Sequence, residues 1–135
     1  MPVIVIDTSS LIKYLLREEG WRDVSKFLRQ NQLVSLEMAL IEGANAIWKR
    51  CVLHQDISIK TAEKLLGYLH STKGIIIYED PIEYLPKAEE IALENNVTVY
   101  DSLYIAQALK YGRLATSDEK QGKVAEKLGI SVFYL

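Results

Sequence analysis

Val3-Ile4-Val5-Ile6-Asp7-Thr8-Ser9-Ser10-Leu11-Ile12 is the stretch whose reading decides the fold. Four consecutive β-branched apolar residues make too short a run for a helix and read as a strand buried on both faces. The run stops at Asp7, with Thr8 and Ser9 as candidate N-caps for the periodic segment Leu11, Ile12, Leu15 and Leu16 that follows. A carboxylate is thereby delivered to the carboxyl end of a buried strand, where open α/β sheets keep their ligand sites. The competing reading is that Asp7 merely starts a helix, so its significance depends on which other groups meet it.

Outward from this stretch, strands and helices alternate. A break at Gly20 precedes an amphipathic piece carrying Trp21, Val24, Phe27 and Leu28, and Leu33-Val34-Ser35 is a short strand. A long helix runs from about Glu37 to Leu53 with the apolar stripe Leu40, Ala44, Ile47, Trp48 and Cys51. Ser58 caps a helix that buries Leu65, Leu66 and Leu69 and ends near Gly74, and Ile75-Ile76-Ile77-Tyr78 is a second buried strand. Pro81 and Pro86 lie early in the next helix, where proline is tolerated, and that helix ends around Asn95-Asn96. A short extended Val97-Thr98-Val99 leads into a helix from Asp101 to Tyr111-Gly112. Arg113–Thr116 is a strand, Asp118–Leu128 a helix closed by Gly129, and Ile130–Leu135 a final strand. This order predicts one domain over residues 1–135 of class α/β: a three-layer α/β/α arrangement, a parallel sheet covered by helices on both sides.

With 49% hydrophobic and 25% charged residues in 135, the composition is that of an ordinary globule, able to bury roughly two thirds of its unfolded surface. A net charge of −2 excludes holding nucleic acid by bulk electrostatics, so any such contact is local, metal-assisted or shared with a second subunit. The single Cys51 cannot form an internal disulfide and reads as an inert core residue, in keeping with a reducing, cytoplasmic setting. No run approaches the roughly 18 apolar residues of a membrane helix, and no basic segment precedes the first strand, so neither a span nor a signal peptide is expected.

Three further acids follow strands in this reading: Asp118 after Thr116, Asp101 after residues 97–99, and Glu42 a turn and a half into the helix after residues 33–35. Parallel strands would bring all of them to Asp7 along one edge of the sheet. Asp101 reads equally as an N-cap, and Asp118 as an early-helix charge with Thr116 and Glu119 spaced as a capping box. Glu42 lies opposite the apolar stripe, which suits a solvated glutamate. Its own face, however, holds Met38, Ala39, Ala46 and Leu53 with Asn45 one turn on, a composition that suits a polar cleft. Four ionised carboxylates repel one another unless a cation lies between them. Oxygen donors of this kind suit Mg²⁺ or Mn²⁺, which lower the pKa of bound water and clamp a phosphate. No histidine base is then needed, and His54 and His70, at helix ends away from this edge, read as surface or capping residues.

The segments Val-Ile-Val-Ile-Asp7-Thr-Ser, Leu-Ile-Glu42-Gly-Ala-Asn45, Tyr-Asp101-Ser-Leu-Tyr-Ile-Ala and Leu-Ala-Thr116-Ser-Asp118, in this order and spacing, resemble the PIN domain family across essentially the whole chain. At this length the chain is most similar to VapC-type toxins of prokaryotic toxin–antitoxin pairs. The resemblance implies a five-stranded parallel sheet between helices and a Mg²⁺- or Mn²⁺-dependent endoribonuclease. By the same resemblance Asp7, Glu42, Asp101 and Asp118 form the acidic quartet that binds metal and carries catalysis. Thr116 would support Asp7, with Thr8 also in a supporting role, and Asn45 would neighbour the cleft. It further implies an RNA substrate, an antitoxin partner and a homodimer, and it admits an RNA-processing nuclease as well as a toxin. Trp21, Phe27, Trp48 and Tyr68 are expected to fill the core, with some of that apolar surface available to an antitoxin segment.

Two phosphate-chemistry alternatives fit less well. A haloacid-dehalogenase-like site wants an acid two residues after the first aspartate, where Ser9 stands. A phosphoacceptor receiver wants an aspartate ending a central strand, and Asp56 follows no strand. A non-catalytic binding module of the same fold would not need all four acids.

Overall fold

The computed structural model describes residues 2–135. Its centre is β1 (Val3–Ile6), flanked by β2 (Gln32–Leu36) and β4 (Arg113–Thr116), with β3 (Ile76–Glu79) and β5 (Ser131–Tyr134) at the edges. The order is β3-β2-β1-β4-β5 and every pairing is parallel. Among the described residues seven α-helices cover the sheet: α1 (Thr8–Leu15), α2 (Trp21–Gln30), α3 (Met38–Trp48), α4 (Ile59–Ser71), α5 (Leu85–Asn95), α6 (Val99–Tyr111) and α7 (Glu119–Lys127). The expected α/β class and five-stranded parallel sheet are confirmed. Ile4, Val5 and Ile6 are all buried, because parallel crossovers place helices over both faces. No helix among the described residues is long and apolar enough to cross a membrane.

Several local expectations are corrected. The α1 N-cap is Asp7, whose carboxylate accepts from the Ser10 amide; Thr8 is already helical. Residues 97–99 form no strand, because Thr98 caps α6 and Val99 is its first helical residue. The two residues after the left-handed Asn96 (φ 54°), Val97 and Thr98, are enough only to turn from α5 into α6. The long helix from residue 37 divides into α3 and a five-residue π-helical segment, Lys49–Leu53.

The buried line of α3 is Ala39–Gly43–Ile47 rather than the bulkier stripe suggested by hydrophobicity. Gly43 lets α4 approach closely: a Cβ there would lie 3.1 Å from Leu69 Cδ1. Glu42 consequently borders the packed face instead of opposing it. Trp48 and Tyr68, expected in the core, are 48% and 44% exposed, and Cys51 is half-buried. The 75–78 run is an edge, with Ile77 68% exposed, since an apolar run does not distinguish an edge strand from a central one.

Candidate functional site

The strand order reverses direction between β1 and β4, and the crevice beyond their carboxyl ends is where an open parallel sheet admits a ligand. Asp7 ends β1 at this point and is 2% exposed. Its amide donates to the Ala115 carbonyl (3.2 Å), fixing it against β4. Thr116 Oγ1 donates to Asp7 Oδ2 at 2.5 Å, and Ser9 Oγ (2.8 Å) and the Ser10 amide (3.2 Å) donate to Oδ1. Burial nevertheless pushes the Asp7 carboxyl up to about 6, against the opposing pull of these donors. Neutral hydroxyls do not replace the water that burial removes.

β4 delivers the next acid. Thr116 Oγ1 accepts the Asp118 amide at 3.0 Å while donating to Asp7, so one hydroxyl links both acidic segments. Asp118 is the N-cap of α7, with Oδ1 accepting the Gln121 amide (3.2 Å). The capping reading of Asp118 is thus correct in kind, although the cap is Asp118 itself rather than a Thr116–Glu119 box. Gln121 Nε2 donates to the Asp101 carbonyl (3.0 Å), which draws the first turn of α7 to the first turn of α6. Asp101 is half-buried there; burial first, then the charges of Asp118 and Glu42, raise its carboxyl above the ordinary value.

Glu42 arrives from α3. Its Oε1 accepts from Thr8 Oγ1 (2.8 Å) and from the Tyr104 hydroxyl (2.9 Å). Asp101 feels both the Asp118 and the Glu42 charge, and Tyr104 feels the Asp7 charge, so all four acids share one region. Thr8 and Thr116 are buried within it, whereas Asn45 is exposed one turn beyond Glu42 on α3. Three helices, α1, α6 and α7, begin at these acids. Their N-terminal dipole ends partly offset the negative charge.

Sequence reasoning missed Ser9, whose hydroxyl also accepts the Ser117 amide (3.0 Å), and Tyr104. The signal for Tyr104 was its place one helical turn after Asp101, on the same side of the helix. A groove of about 880 Å³ lies elsewhere, between α3, the end of α4 and β3, and is lined chiefly by apolar groups such as Leu40, Ile41 and Ile77. It has the volume of a ligand pocket but lacks the acidic cluster.

Among the described residues no three acids, histidines or cysteines approach closely enough to enclose a metal ion by themselves. The donors are all oxygens, and two of the carboxyls are raised by burial, with like charge adding at Asp101. That set fits an ion such as Mg²⁺, which takes one or two carboxylates and completes its shell with water and phosphate oxygens.

The comparisons with known proteins agree with this architecture. The chain is 33% identical over 129 residues to Ribonuclease VapC3 of Pyrobaculum aerophilum, covering 92% of this chain and 93% of that protein. The crystal structure of PAE2754 from Pyrobaculum aerophilum matches with a TM-score of 0.69 over 98% of this chain and 89% of that one, a likeness of fold at 23% identity. With the PIN domain model also matching residues 4–127, the chain belongs to the PIN domain family.

Proposed function

We propose that this protein is a Mg²⁺- or Mn²⁺-dependent endoribonuclease that hydrolyses RNA phosphodiester bonds, acting as the toxin of a toxin–antitoxin pair. The observation that carries the reading is Asp7: a carboxyl buried at the β1/β4 crevice, raised to about 6, with three further acids around it. Perturbed carboxyls gathered at a ligand-binding crevice mark functional sites more often than structural ones. Kinship to a protein named a ribonuclease supports the choice of substrate.

Of Asp7, Glu42, Asp101 and Asp118, one or two would bind the ion directly and the others would reach it through its bound waters. When bound, it supplies Lewis acidity, lowering the pKa of water and offsetting the charge of the scissile phosphate. The chain does the rest by positioning. Thr116 and Ser9 hold the two Asp7 oxygens, and the Gln121–Asp101 bond sets the spacing between α6 and α7. Asn45, exposed one turn beyond Glu42 on α3, would meet the substrate. The same reading assigns an antitoxin protein as partner, a homodimer as the working form and the cytoplasm as the location.

The test is cleavage of a single-stranded RNA with Mn²⁺ or with chelator, followed by analysis of product ends. Metal-dependent cutting with 5′-phosphate and 3′-hydroxyl ends is expected, and a 2′-deoxy nucleotide at the scissile position should still permit it. Cyclic 2′,3′-phosphate ends, or cutting indifferent to chelator, would remove the acids from their proposed role.

A further inference from the structure

Tyr104 is 2% exposed and therefore does not reach a substrate directly. Its hydroxyl donates to Glu42 Oε1 at 2.9 Å and lies 2.5 Å from Thr8 Oγ1, itself 2.8 Å from the same Oε1, so one of the two hydroxyl protons is shared between that carboxylate oxygen and the other hydroxyl. A phenol is protonated at neutral pH and so can donate to a carboxylate. Both bonds end on one oxygen of the carboxylate.

A glutamate on a helix has a flexible side chain, and fixing it costs entropy that an ion would otherwise have to offset on binding. Here the fixing is done beforehand from two other helices, α1 through Thr8 and α6 through Tyr104. Phenylalanine would fill the same space in the core, so the phenolic oxygen is the part that packing does not explain. Because Tyr104 stands one turn after Asp101 on α6, the same bond also sets Glu42 relative to Asp101.

We propose that Tyr104 is a positioning residue: together with Thr8 it clamps Oε1 of Glu42 and leaves Oε2 to the divalent ion. This rests on the reading of Glu42 as an ion ligand given above, and outer partners of this kind typically change metal affinity or activity by about ten- to a hundredfold.

The test uses the full chain and Mn²⁺ alone, with free Mn²⁺ followed by electron paramagnetic resonance, and then steady-state cleavage at limiting and excess Mn²⁺. Tyr104→Phe should weaken Mn²⁺ binding about tenfold or more. It should lower kcat at limiting Mn²⁺ with KM for RNA unchanged, and excess Mn²⁺ should restore kcat. Glu42→Gln should weaken Mn²⁺ binding as well, without recovery of kcat. If Tyr104→Phe does not fold, Thr8→Val deletes the other donor and should weaken Mn²⁺ binding, while Thr8→Ser restores it. Wild-type Mn²⁺ affinity in the folded donor-deletion variant, with weakened affinity in Glu42→Gln, would overturn the clamp alone. Wild-type affinity in Glu42→Gln would overturn the ligand role of Glu42, and the clamp with it.

Discussion

Two of the carboxylates at the carboxyl ends of this protein's parallel strands, Glu79 and Asp7, are treated in opposite ways. Glu79, ending the edge strand β3, accepts from the Tyr84 hydroxyl (2.6 Å), Gln107 Nε2 (2.9 Å) and the Tyr111 hydroxyl (2.8 Å), with Lys110 Nζ at 3.9 Å. Burial pulls its carboxyl up, but these donors and the lysine together hold it below the ordinary value. Asp7, ending the central strand β1, also has three donors, yet it lies well above the ordinary value. The difference is depth and charge. Asp7 is sealed under the helices with only neutral donors around it, whereas Glu79 keeps some contact with water and has a cation at its rim. The fold satisfies one acid and leaves the other short of compensating charge, and that shortfall is what a divalent ion can fill.

The largest effect should come from Asp7→Asn. Cleavage should be abolished, measured as initial rate on single-stranded RNA, while the metal-free fold becomes more stable. At about 1.4 kcal/mol per pH unit, the gap between 3.8 and about 6 costs the ionised fold about 3 kcal/mol. The sign follows from a folded-state value above the unfolded one: the stabilisation is complete below pH 3.8 and is lost as the pH rises through about 6. Metal-free wild type should therefore melt higher as the pH falls from about 6 towards 4, and Asp7→Asn should lack that rise. A wild-type profile in the variant would break the contrast with Glu79.

Glu79→Gln should do the reverse. Replacing a charged acceptor by a neutral one should destabilise the fold by about 1–2 kcal/mol in urea unfolding, with Mn²⁺-dependent cleavage by the folded fraction unchanged. Because the Glu79 carboxyl is lowered, its contribution is present above pH 4.5 and fades as acid protonates the folded form. The two acids should thus give opposite pH slopes in the same protein. Loss of cleavage without loss of stability would move Glu79 into the site.

The smallest effect should be that of the double change His54→Ala and His70→Ala. Both residues are exposed, His54 capping the segment that continues α3 and His70 in the last turn of α4, so cleavage and melting should stay close to wild type. A large drop in rate would point to a side-chain base and weaken the role given to the acids.

Much of the architecture was legible before any coordinates. The Val3–Ile6 run, the turn signals at Gly112 and Gly129, and the alternation of strands with helices are carried by adjacent residues, and they sufficed for a parallel sheet covered on both sides, while the count of five strands came with the family resemblance. The position of Asp7 at the end of β1 was equally local. Residues 97–99 misled because β-branched residues next to a turn look extended until the Thr98 cap is seen to begin α6. The α3 stripe misled because close packing against Leu69 selects small residues, and periodicity weights large ones.

What the sequence determined alone is the set of local choices: which segments are strands, where helices begin, and which strand ends carry an acid. Only the tertiary structure decided that Thr8, Glu42 and Tyr104 meet, since their bonds join residues 34, 62 and 96 positions apart. It likewise decided which of two strand-end acids lies deep and which at an edge. Propensity, capping and side-chain period act over a few residues. Strand order, and with it the desolvation that raises Asp7, is set by how distant elements cover one another, which no single stretch of sequence encodes.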